Sequence, residues 1–154
     1  MGNRKIWGHT ITGRCNGEPF TAFEYTWFTG WGKGSSVDWI GAMLWTVERT
    51  LPRFMMTSSR FWHTTGTFYR GEVIHFDDSP EFSGHFELRC DDAAAVRALF
   101  TPDLRQALGV DGRHRIAGCG KELMWWRDGY LPSPNALDQF LREGDRIRTL
   151  FVRG

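Results

Sequence analysis

No stretch of this sequence runs for the roughly 18 apolar residues that a membrane-crossing helix needs. The opening residues, Met1-Gly2-Asn3-Arg4-Lys5, lead straight into a strand-like segment and lack the apolar run of a secretion signal. Gly2 is not followed by the Ser or Thr of a lipidation signal. These absences give the expectation of a soluble, cytoplasmic chain with no membrane segment. Charge of one sign is also missing: 19 basic residues face 18 acidic ones, a formal net charge of +1, so no global field steers the chain toward nucleic acid or an anionic membrane. Cysteine is scarce and odd in number. Cys15, Cys90 and Cys119 are far apart, which argues against a disulfide framework and against a paired-cysteine metal knuckle. Free thiols, and a domain without a cofactor, are the expectation.

What is abundant is aromatic. Eight Trp and 12 Phe stand against three Tyr, and each such ring buries on the order of 150–250 Å². A chain of 154 residues, 41% hydrophobic and 24% charged, has the size and balance of one globular domain whose core these rings can dominate.

Along the first half, the period is two. Ile6 to Arg14 and the alternating Phe23, Tyr25 and Trp27 flank Asn16-Gly17, the strongest short hairpin signal. Val37 to Val47 places Val37, Trp39, Met43, Trp45 and Val47 on one face and Ile40, Ala42 and Leu44 on the other, the mark of a central strand. Leu51-Pro52 reads as a break before a short strand with Phe54 and Met56. Further strands are expected from Thr67 to Phe76 and from His85 to Cys90, separated by the turn Asp77-Asp78-Ser79-Pro80. At Asp91-Asp92 the period changes to 3.6. Asp92 and Thr101-Pro102 suit helix starts and Gly109 a stop, giving two short helices bent at residue 101. A hairpin pairing Arg113–Cys119 with Glu122–Arg127 is expected to turn near Gly120. Beyond Pro132-Ser133-Pro134, the spacing of Leu137, Phe140, Leu141, Gly144, Ile147 and Phe151 predicts an amphipathic helix, with Gly144 allowing close approach to a strand. The expected fold is α+β: a predominantly antiparallel sheet of about seven to eight strands, two short helices after residue 91 and a C-terminal amphipathic helix packed on it, all in one domain.

Several segments in this order, Gly17 to Tyr25, Leu51 to Phe54, Glu81-Phe82, Phe86 to Leu88, Asp91 to Leu108 and Trp125 to Tyr130, carry a resemblance. The chain resembles a broad family of uncharacterised bacterial domains, frequent in actinobacteria, whose members often follow membrane-spanning helices. The resemblance implies an α+β fold and carries no activity, cofactor or partner. The present chain departs from that pattern in having no membrane segment of its own.

Chemistry-bearing constellations are sparse. The five histidines are scattered singly, without zinc-site spacing. His75 with Asp77 and Asp78 is the densest polar group and the one alternative for a metal or general-base site, set against a strand end followed by an Asp-rich turn. No Gly-x-Ser-x-Gly elbow occurs. Gly30-Trp31-Gly32-Lys33-Gly34 offers backbone amides and a lysine to an anion, but lacks the Walker spacing and precedes a strand, so a flexible connection accounts for it better. Alternation assigns Trp27, Trp39, Trp45 and Trp125 to the core and leaves Trp31, Trp62 and Trp126 outside it. Trp31, Lys33, Trp62 and Trp126 are thus the candidate binding residues. The leading expectation is a non-enzymatic interaction module whose partner is another protein. The alternatives are a small-ligand or carbohydrate binder with a Trp-lined groove, and an enzyme centred on His75, Asp77 and Asp78.

Overall fold

The computed structural model describes residues 5–29, 36–59, 69–109 and 114–152. Its strands are β1 (Lys5–Cys15), β2 (Glu18–Thr29), β3 (Ser36–Ser58), β4 (Glu72–Ile74), β5 (Phe86–Cys90) and β6 (Arg115–Asp128). Asn16 and Gly17 both take positive φ, 50° and 86°, and close the β1–β2 hairpin as the sequence leads one to expect. β3 is the spine. On one flank it pairs with β2 from Thr21↔Leu44 to Thr29↔Ser36, and then with β5 from Phe54↔Cys90 to Ser58↔Phe86. On the other flank β6 follows it from Ile40↔Asp128 to Met56↔Ile116. With β4 outside β5, the result is one antiparallel six-stranded sheet.

Six strands replace the seven to eight expected, because two presumed breaks are bulges. Pro52 falls between the Leu51↔Gly120 and Phe54↔Gly118 pairs, where the register shifts and the ladder asks for no donor. Gly120, at φ 60°, keeps β6 continuous where a hairpin turn was expected. The bulges switch the faces. Met43, Trp45 and Val47 point into the main core before the shift, and Phe54 and Met56 after it. They also bend the ribbon sharply. Arg115 and Asp128, 13 positions apart on β6, form a two-pronged ion pair at 2.5 and 2.6 Å, whereas a straight strand of that length would separate them by roughly 43 Å. The β3–β6 ribbon must therefore double back.

Four helices occur among the described residues: α1 (Pro80–His85), α2 (Ala93–Leu99), α3 (Pro102–Leu108) and α4 (Pro134–Val152). The expected turn at Asp77-Asp78 is closed by the Ser79 amide donating to the Phe76 carbonyl at 3.1 Å, and α1, which was not expected, follows it with Pro80 preset in its first turn. The expected caps of the next two are in place: Asp92 accepts from the Ala95 amide at 3.0 Å and Thr101 from the Leu104 amide at 3.3 Å. α4 docks on the sheet along its apolar stripe. Phe140 meets Trp125 at 4.9 Å between centroids, and Phe151 stacks on Phe54 at 5.7 Å. Between them Gly144 stands so close that an added Cβ would lie 3.0 Å from the Trp45 ring and 3.1 Å from that of Trp125. Next to it the buried Asp145 accepts from the Asn16 side-chain amide at 2.6 Å and from Arg148 at 2.8 Å, tying the helix to the first hairpin. No helix among the described residues is long and apolar enough to cross a membrane.

Candidate functional site

Trp31, Lys33 and Trp62, with the Trp27 side chain, lie outside the described residues. Trp126 is described, and the expectation that it stays outside the core needs correcting. Alternation does place it on the sheet face opposite Trp125, but that face has its own small cluster. Trp126 is 6% exposed beside Ile40 and Ala42, with Phe23, Tyr25, Met55, Ala117 and Met124 packed around it. Because the ribbon doubles back, residues from both of its arms cover the ring.

His75, Asp77 and Asp78 do not assemble into a site. Among the described residues no group of three His, Cys, Asp or Glu side chains is placed to hold a metal ion. Asp78 instead pairs with Arg105, a guanidinium only 5% exposed that also donates to Ser79 Oγ at 3.1 Å and to the Phe100 carbonyl at 3.0 Å and lies 4.1 Å over the Phe76 ring. His75 contributes its backbone carbonyl to Arg97 at 2.8 Å. These bonds fasten α2 and α3 to the 75–79 segment. They are those of a structural clasp.

Among the described residues, an exposed aromatic pair stands at Trp39 and Tyr130. Trp39 was assigned to the core because it shares a face with Met43 and Trp45, and the face is correct. What differs is the cover. α4 reaches Met43 and Trp45 through Gly144, and the backbone of Tyr130 and Leu131 crosses over Gly41, where a Cβ would come within 3.2–3.3 Å of it. Trp39 is the next residue in the row and is left 37% exposed, with Tyr130, 57% exposed, beside it at 5.3 Å between centroids and tilted by 40°.

The pair is held firmly. The Gly129 amide donates to the Trp39 carbonyl at 2.9 Å, and Gly129 itself turns the chain at φ 95°. Glu24, opposite Gly41 in the β2–β3 register, accepts the Leu131 amide at 3.1 Å and meets His9 Nδ1 at 3.0 Å through its other oxygen. The one sequence signal for this arrangement was Gly41 itself. A glycine inside an otherwise apolar strand marks the close approach of another backbone.

A cleft of about 490 Å³ lies between α1 and α3, lined by Pro80, Glu81, Phe82, Pro102, Arg105 and Gln106 among others. A groove of about 230 Å³ opens at the bend of the β3–β6 ribbon, with Leu44, Met55, Ala117 and Met124 as its apolar wall and Arg53, Tyr69, Cys119 and Glu122 on its polar side. Tyr69 donates to Asp91, and burial together with that bond pushes its phenol above the usual range. Burial likewise raises the Cys15 and Cys90 thiols. In comparisons with known proteins, no family model, no curated protein and no solved structure matches this chain.

Proposed function

We propose that this domain is a non-enzymatic protein-interaction module whose contact surface centres on Trp39 and Tyr130. The observation that carries this reading is a solvent-facing Trp–Tyr pair fixed by the backbone amides on either side of Tyr130, Gly129 donating to the Trp39 carbonyl and Leu131 to the Glu24 carboxylate. Exposed aromatic area is costly in water and often marks a binding site. Trp and Tyr are the residues most enriched among anchors that dominate binding energy, and a pair already ordered before contact gives up little side-chain freedom on docking. All three cysteines are free, which fits work in the reducing cytoplasm. Replacing Tyr130 or Trp39 by Ala is expected to abolish capture of the native partner while the melting temperature barely moves. Retained capture by both variants contradicts the reading.

Binding of a small ligand is the second reading. The α1–α3 cleft has a volume in the range that holds small molecules. It ranks lower because neither concavity has a tryptophan among its lining residues, which a Trp-lined sugar groove requires. An enzyme built on His75, Asp77 and Asp78 is the least supported, since Asp78 is spent on Arg105.

A further inference from the structure

We infer that the group the Trp39–Tyr130 pair receives from its partner is a cation, the side chain of an arginine or lysine on another protein. The inference rests on the docking reading above and deepens it by naming the chemistry of the anchor. Two features point the same way. The first is the rings themselves: an aromatic face carries negative potential, and two rings stand side by side here, tilted by 40° with centroids 5.3 Å apart and both partly open to solvent.

The second is the fixed charge around the pair. Arg127, opposite Gly41 on β6, is engaged by Glu143 at 3.5 Å and lies 4.7 Å over the Phe140 ring. Arg115 at the far end of β6 is held by both oxygens of Asp128. Among the described residues, Glu24 is the exception. Its carboxylate stands one position along the row from Trp39 and its ionic partner is His9, whose ring is charged only when protonated. Among the described residues, no Arg or Lys stands as the counter-charge of the carboxylate beside the pair. A guanidinium or ammonium seated on the rings supplies one, whereas an acidic or purely apolar anchor does not.

The test is a titration of the isotope-labelled chain, followed by the Trp39 indole N–H resonance, with a blocked glycine-arginine-glycine tripeptide and with its norleucine counterpart, which has similar reach and no charge. The arginine peptide is expected to bind about two- to fivefold more tightly than the norleucine one. The difference should vanish in Tyr130→Ala. It should shrink in Glu24→Gln, where the amide oxygen can still accept from Leu131 and only the charge is lost. Equal binding of the two peptides, or no movement of the indole with either, overturns the cation. The docking reading stands or falls separately, on whether Trp39→Ala and Tyr130→Ala release the native partner.

Discussion

Trp45 and Trp39 sit on the same strand and the same face, three pairs of the β3 row apart, yet one is 1% exposed and the other 37%. Nothing in their side chains or local backbone pattern distinguishes them. The difference comes from what lies above. Trp45 is under α4, where Gly144 lets the helix settle onto the rings. Trp39 lies beyond the crossing of Tyr130 and Leu131, where the only described ring near it is that of Tyr130, itself facing solvent. Two-residue alternation reports which face a side chain takes. Cover is decided by where another element begins and ends, and that is a property of the whole fold.

The contrast can be broken at four points. Trp45→Ala removes a fully buried ring and should cost about 3–5 kcal/mol, a fall in melting temperature on the order of 10 °C for a chain of this size. A calorimetric scan showing a loss near that of a surface substitution would mean the covered half is not the core described. Gly144→Ala forces a methyl group against the Met43 sulfur and the two indole rings. The helix gains about 1 kcal/mol in propensity, but overpacking of this kind typically costs about 1–3 kcal/mol, so denaturant unfolding should show a net loss or at best no gain.

Gly41→Ala tests the crossing. Its new methyl group would press on the Tyr130 and Leu131 backbone, and we expect a loss of about 1 kcal/mol, with a shift of the Tyr130 ring resonances as the segment is lifted. Unmoved Tyr130 signals would show that the crossing does not set the position of the pair. Trp39→Ala should have the smallest effect on stability, within about 0.5 kcal/mol, as befits a side chain with one face in water.

Much of the fold was legible in the sequence because it rests on local chemistry. Asn16-Gly17 made its hairpin, Asp92 and Thr101 capped their helices, and Gly144 marked the docking point of α4. What was missed rests on long-range geometry. Pro52 and Gly120 look like strand ends when each strand is considered alone, and become matched irregularities only because β3 and β6 bend together. Trp126 reads as a surface residue until the doubled ribbon brings Met55 and Ala117 over it. Of the rings expected outside the core, Trp126 is buried and Trp31 and Trp62 lie outside the described residues, while the exposed pair Trp39 and Tyr130 was not read from the sequence. Trp39 was hidden by its correct alternation, and Tyr130 by its position in a turn after Asp128-Gly129.

The central claim is that Trp39 and Tyr130 serve recognition and are not displaced core residues. The most direct measurement takes one preparation each of the native chain, Trp39→Ala and Tyr130→Ala, and records thermal stability and partner retention from the native cell extract side by side. The account predicts melting temperatures within about 2 °C of one another and retention lost in both variants. A melting temperature that falls by 10 °C or so with retention unchanged would contradict it and return both rings to the core.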